Sequence, residues 1–346
     1  MKKSIRTAAL LISMILVAAA CAAPRASSSA TAAPTGTGPA ATAAATPNFA
    51  GKPVNIVTGG TGGVYIIYGG GLANVLTNKL GVAATAQSTT ASVDNMKFIR
   101  DKKADLAFTL ADTALDALKG RAQFTAPEKA ADGLRSITSL YANVTHIVTK
   151  EGTGINTVAD LKGKRVSVGS AGSGTEVIAN RVLEAYSLTQ ADLQPQKLGV
   201  ADSANGLRDG RLDAFFWSGG LPTAAVTDLA NAPGVTLKFL DHSDVVQKMA
   251  DKYDKLYVNA TIPANTYKNA AAIRVSGVNN LLVADASMDE ALVYAIVKTM
   301  FDNQKDLEVV HPEAKNLTLQ NAVQGSPIDY HPGAIKFYRE KSVWNR

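Results

Sequence analysis

One local arrangement occurs twice in this chain and restricts its fold more than any other feature: a short β-rich segment, a loop of glycine and hydroxyl residues, and then a helical pattern. The first copy reads VNIVTGGTGGVYIIYGGGLANVL from Val54, and the second reads RVSVGSAGSGTEVIANRVLEAY from Arg165. A helix start leaves amides unpaired and carries partial positive charge, so a small anion gains hydrogen bonds there without a buried lysine. Two such units facing one another would make a clamp.

Periodicity extends the repeat. Strands are predicted near 54–58, 82–87 and 105–110, with helices near 64–78, 92–102 and 112–119. The order returns with strands near 165–169, 194–198 and 212–216 and helices near 174–186, 202–209 and 222–231, an offset of about 110 residues. Strands alternating with helices imply an α/β protein with parallel sheets covered on both faces and ligands beyond the carboxyl ends of strands. The apolar stretch LRSITSLYANVTHIVT at 134–149 reads as the crossing between two lobes. KLYVNATI and AAIRVSGV, followed by an amphipathic helix at 288–301, read as the return. The expected lobes are 51–142 plus 258–346, and 143–257.

The N-terminus has its own logic. Positively charged MKKSIRT precedes the apolar run Ala8–Ala20, too short to span a bilayer comfortably, and then the only cysteine, Cys21. Residues 1–20 read as a signal peptide, and Ala19 and Ala20 before Cys21 resemble a lipoprotein signal, although Ala18 stands where leucine is preferred. An ordinary secretory peptide cut at one of these alanines is the alternative. Residues 21–50 are nearly all Ala, Pro, Ser, Thr and Gly, which cannot bury a core, so they are expected to form a tether from a lipidated Cys21. The formal charge is +6, but Lys2, Lys3, Arg6 and Arg25 lie in this region, leaving +2 for the rest. No basic run with interleaved aromatics suggests nucleic acid.

Four segments together resemble the TAXI solute receptors of TRAP transporters: TGGTGGVYIIYGGGLANVL at 58–76, SVDNMKFIRDKKADLAFTLAD at 92–112, TVADLKGKRVSVGSAGSGTE at 157–176 and LRDGRLDAFFWSGGLPT at 207–223. The resemblance implies a periplasmic-binding-protein fold, type II-like, with two α/β lobes joined by hinge strands and a ligand cleft between them. It also implies an extracytoplasmic receptor, a monomer, that delivers a small carboxylate, either a glutamate-like amino acid or a dicarboxylate, to a cation-coupled TRAP permease. Similar receptors read TGGS or TGAS where this chain has Thr89, Thr90, Ala91 and Ser92. The missing glycine restricts the backbone near the expected ligand.

In the first loop Thr58, Gly60, Thr61 and Gly62 are candidates for close approach to a carboxylate, with Thr61 as a simple N-cap the other reading. Tyr65 either covers the ligand or packs its helix. Ser170, Ser173, Gly174 and Thr175 offer hydroxyls and amides without charge, and Ser173 with Glu176 fits a capping box. Trp217, Ser218 and Gly219 follow a predicted strand, where the indole offers a flat wall. Asp112 either pairs with a ligand ammonium or caps its helix. Thr89 is the cleft candidate of its loop, with Ser92 the cap.

Nothing in the sequence assembles a catalytic or metal centre. His146, His242, His311 and His331 are scattered, without His-Glu-x-x-His spacing, and there is no Gly-x-Ser-x-Gly elbow or P-loop. No cofactor is expected. An importer of the ABC type, a sensor kinase or, from another class, an extracytoplasmic enzyme on the same scaffold are the alternative settings for such a chain.

Overall fold

The computed structural model describes residues 48–345; the expected signal peptide, most of the tether and Cys21 lie outside the described residues. In chain order the elements are β1 (Pro53–Val57), α1 (Val64–Val75), β2 (Ala83–Gln87), α2 (Ser92–Arg100), β3 (Leu106–Leu110), α3 (Ala111–Lys119) and the long β4 (Leu134–Lys150). Next come β5 (Arg165–Ser167), α4 (Gly174–Ala185), β6 (Gln194–Gln196), α5 (Val200–Arg208), β7 (Ala214–Gly219), α6 (Ala224–Asn231), β8 (Leu237–Phe239) and α7 (Val246–Lys252). The chain closes with β9 (Val258–Ile262), the long β10 (Ile273–Asp285), α8 (Glu290–Asp302), α9 (Gln304–Val310), α10 (Leu319–Ala322) and α11 (Pro332–Glu340).

Strand order shows why the sequence repeats. The path runs β2-β1-β3-β10-β4-β7-β5-β6. Each end is a parallel trio, β2-β1-β3 or β6-β5-β7, and each trio is followed by an antiparallel long strand, β10 beside β3 and β4 beside β7. The fold is therefore the α/β, type II binding-protein arrangement that the resemblance implied, with the same half-sheet built twice. The two long strands pair with each other at the centre, Tyr141 opposite Asn280 and Val144 opposite Gly277. After Asn280 and again after Leu282 the pairing skips one β4 residue, Leu140 and then Ile137, and these bulges bend β4 there.

The core follows this division. Val54, Ile56, Tyr68, Leu72, Phe108 and the C-terminal helices form one apolar cluster, and Val148, Leu207, Phe215, Val226 and Phe239 form another. A third cluster runs across both halves, from Met96 and Leu110 to Val166, Val177 and Phe216. β9 and the start of β10 pack with the second half, through Ile262, Tyr267 and Val275. The return strand begins there and enters the first half only beyond Gly277. Gly69 explains part of the glycine run in α1: a Cβ there would fall 2.4 Å from Thr58 Cγ2, so only glycine lets the helix lie this close to the sheet.

Several local expectations change. β7 runs to Gly219, so Trp217, Ser218 and Gly219 belong to the strand's end and not to the loop after it. The N-cap of α1 is Gly63, without a side-chain cap, and Thr61 is exposed. Ala91, not Ser92, precedes α2; the Ser92 hydroxyl instead accepts the Leu110 amide at 3.2 Å, because α2 packs against the end of β3. α3 begins at Ala111 after Leu110, so Asp112 is inside the helix and is not its N-cap.

Candidate functional site

Both glycine-bearing loops open onto one cavity of about 50 Å³. This is well below the roughly 300–1,000 Å³ of sites for drug-sized ligands, so it suits only a short molecule while the halves are this close. Gly59, Gly60, Gly63 and Tyr65 line it from the first half, and Ser170, Ser173, Gly174 and Thr175 from the second. Trp217, Ser218 and Gly219 from the end of β7 and Tyr141 from β4 complete the central part. Nine of the fourteen expected ligand residues meet here: Gly60, Tyr65, Ser170, Ser173, Gly174, Thr175, Trp217, Ser218 and Gly219.

The halves touch on either side of this cavity. The amides of Val93 and Asp94, at the start of α2, donate to the Gly172 carbonyl at 3.2 and 3.3 Å. A Cβ on Gly174 would lie 2.5 Å from Leu110 Cδ1 and 2.7 Å from Ser92 Oγ. On the other side the Ala225 amide donates to the Gly62 carbonyl at 3.3 Å, and the Trp217 ring lies 3.0 Å from where a Gly63 Cβ would stand. These glycines are required because one half meets the other through their missing side chains.

α4 begins at Gly174, so the amides of Gly174 and Thr175 have no intrahelical acceptor. The Ser173 hydroxyl accepts the Glu176 amide at 3.1 Å, and the Glu176 carboxylate accepts the Gly172 amide at 3.0 Å, a variant of the expected capping box. Thr175 Oγ1 accepts the Ser218 amide at 3.3 Å, tying the helix start to the end of β7. The Trp217 indole donates to Thr223 Oγ1 at 2.8 Å, which fixes the ring as a wall.

Under the cavity runs a chain of neutral hydrogen bonds. The Tyr65 hydroxyl donates to Asn280 Oδ1. Asn280 Nδ2 donates to Asn143 Oδ1 at 3.0 Å, and Asn143 Nδ2 to Ser218 Oγ at 2.5 Å. One chain thus links α1, both long strands and β7. The Tyr141 hydroxyl is buried and has no hydrogen-bond partner among the described residues. Burial raises the pKa of both Tyr65 and Tyr141, so each keeps its proton at neutral pH.

Five expected residues stand elsewhere. Thr58 is buried, its hydroxyl donating to the Gln87 carbonyl at 2.8 Å. The Thr89 hydroxyl turns inward, 2.6 Å from Asn95 Oδ1, and Thr90 lines the cavity in its place. Thr61 is exposed, and Gly62 (φ +78°) packs on Ala201 and Ala225. Asp112 is 1% exposed and 2.7 Å from the Arg181 guanidinium, engaged by a protein cation and outside the cavity lining. Sequence reasoning missed Tyr141, Asn143 and Asn280. The available signal was polar and aromatic side chains within strands otherwise apolar.

Ala91 has φ +88° and ψ −142°, a backbone that non-glycine residues avoid; the TGGS or TGAS pattern has glycine or alanine here, and the missing glycine is at Thr90. The loop therefore stores strain beside the cavity that Ala91 lines. Among the described residues no group of acidic, His or Cys side chains is arranged to hold a metal, and no helix is long and apolar enough to cross a membrane.

Among solved structures, this chain is similar to the periplasmic aliphatic sulphonate binding protein SsuA from Escherichia coli, at 16% identity and TM-score 0.43, over 84% of this chain and 83% of that one. A protein from Bordetella bronchiseptica RB50 matches at 17% identity and TM-score 0.49, over 83% and 88%. The GluR0 ligand-binding core from Nostoc punctiforme, in complex with L-glutamate, matches at 12% identity and TM-score 0.46, over 75% and 98%. The NMT1-like family model matches residues 56–342, from β1 through both loops to the end of the last helix, and the chain belongs to the NMT1-like family.

Proposed function

We propose that this protein is an extracytoplasmic solute receptor that closes on a small organic anion, a carboxylate in the first instance, and performs no chemistry on it. The observation that carries the reading is the meeting of two helix-start loops, one from each half, at a single cavity with Ser170, Ser173 and Thr175 on one side and Gly59, Gly60 and Gly63 on the other. Amides and hydroxyls from opposite halves hold an anion only when the halves are together, so binding and closure are one step.

In this reading the lobes are about 51–142 with the C-terminal segment, and 143–257 with the β9 hairpin. The hinge lies where β4 and β10 cross. Cys21 carries the lipid anchor after removal of residues 1–20, and the loaded receptor delivers its ligand as a monomer to a TRAP-type permease. The permease assignment rests on the sequence resemblance, the anchor on the residues before Cys21, and the placing of the β9 hairpin on its packing against the second half.

The test is calorimetry on the purified protein, with the ligand first identified by mass spectrometry of small molecules that copurify. Ser170→Ala and Thr175→Val are each expected to weaken binding roughly tenfold, the worth of one lost hydrogen bond. Affinity unchanged in both variants would remove the second loop from the site. Release of a chemically altered product would replace the receptor by an enzyme.

A further inference from the structure

We infer that the ligand of this cavity is a monoanion with a short apolar body and no ammonium group, and that Ser218 and Tyr141 are its specificity-determining donors. This rests on the receptor reading of the same cavity. Every lining residue is Gly, Ala, Val, Leu, Ser, Thr, Tyr or Trp, and none is charged.

The direction of the hydrogen bonds decides what the cavity recognises. From Tyr65 through Asn280 and Asn143, each group donates toward Ser218 Oγ, whose oxygen is an acceptor in that chain and whose own proton is left to donate. Bonds in such a chain polarise one another, which makes the terminal hydroxyl a better donor. Tyr141, 3% exposed, brings a second hydroxyl that has no hydrogen-bond partner among the described residues. Together with the free amides of Gly174 and Thr175, these two hydroxyls supply donors for one anionic group.

Acceptors for an ammonium are engaged instead. The Gly59 carbonyl accepts from Ser88 Oγ at 2.9 Å, Gly60 from the Gly63 amide at 3.4 Å, Ala91 from the Asn95 amide at 2.9 Å and Ser170 from the Ser173 amide at 3.1 Å. Neighbouring carboxylates are held too: Asp94 by Thr90, Glu176 by Lys197 at 2.8 Å, and Asp112 by Arg181. A buried ammonium would lack a counter-charge, and a second carboxylate would find no cationic side chain among the lining residues.

Calorimetry with three probes of one chain length tests this: butanoate, 2-aminobutanoate and succinate, alongside mass spectrometry of copurified molecules. Butanoate is expected to bind at least a hundredfold more tightly than either other probe. Tyr141→Phe and Ser218→Ala should each weaken it roughly tenfold, with folding checked by circular dichroism. If 2-aminobutanoate or succinate binds as tightly as butanoate, or the copurified ligand is an amino acid or diacid, the assignment is overturned. Should that competing ligand also be lost in Thr175→Val, the receptor reading survives and only the ligand class falls. Absence of any bound probe and of any copurified small molecule overturns both.

Discussion

Arg181 provides the sharpest stability test, because it joins the two halves in the absence of solvent. Its guanidinium, on α4, lies 2.7 Å from Asp112 on α3, also bonds Asp116 on α3, and donates to the Tyr257 hydroxyl at 2.9 Å. Arg181 is 7% exposed and Asp112 and Asp116 are 1% and 3% exposed, so none can recover its hydration if a partner is lost. Burial pulls the Arg181 pKa down, but Tyr257, Asp112 and Asp116 outweigh it and raise it, so the cation persists. Arg181→Met leaves two buried carboxylates with Arg121, 3.1 Å from Asp116, as their remaining cation partner among the described residues, and the Tyr257 hydroxyl and Thr113 amide as donors to Asp112. Removing one partner of a buried ion pair costs about 3–5 kcal/mol. Taking about 4 kcal/mol and a urea m of about 3 kcal/mol/M, the unfolding midpoint should fall by about 1.3 M at pH 7. The pH dependence has a definite sign. Burial, opposed by Arg181, holds the Asp116 pKa above its unfolded value, so its contribution is full below the unfolded pKa and is lost as pH rises through the folded one. Without Arg181 that upward shift grows, so the deficit should be largest at pH 7 and shrink toward pH 4. Adding Asp112→Asn and Asp116→Asn to Arg181→Met should restore much of the loss. A midpoint within about 0.3 M of the parent at pH 7, or a deficit equal at pH 7 and pH 4, would refute the argument.

Two further outcomes follow from backbone strain and buried histidines. Ala91→Gly should stabilise the protein by about 1 kcal/mol, since relief of roughly 1–3 kcal/mol of strain at φ +88° exceeds the added unfolded-chain entropy of about 0.4–1 kcal/mol; a lower melting temperature would show that the loop is not strained. His146 and His242 are fully buried, and burial lowers each pKa from 6.5 to about 4, against the Val144 and Leu240 carbonyls that favour the charged form. A depressed folded pKa means stability that is present above pH 6.5 and lost as pH falls toward 4, on the order of 3 kcal/mol for each ring. Urea midpoints should therefore decline across that window and decline less steeply in His242→Asn, since burial also lowers the His311 and His331 pKa; a flat profile in the parent would contradict neutral burial.

What the sequence made legible was what is local. Each half's strands and helices carry their own period, and each loop announces its helix start by glycine and hydroxyl residues, so the paired loops could be placed before their contacts were known. Asp112 shows where local reading stops. Its place just past a strand end suits a cap or a ligand contact equally, and the group that engages it lies 69 residues away on the other half. The centre of the site was hidden for a related reason. Tyr141, Asn143 and Asn280 lie on the crossing strands, and which face each presents depends on the pairing of Tyr141 with Asn280 and on the irregular register just after it. A strand buried on both faces ordinarily reads as a near-continuous apolar run. Two asparagines, 1% and 0% exposed, interrupt that rule in adjacent strands, and burying their amides is tolerable only because Asn280 donates to Asn143 while Tyr65 donates to Asn280 and Asn143 to Ser218. Polar residues in the segments that must cross the middle of a duplicated fold thus have two reasons to exist, mutual satisfaction and an open end facing ligand, and the second is the one that a packing rule cannot supply.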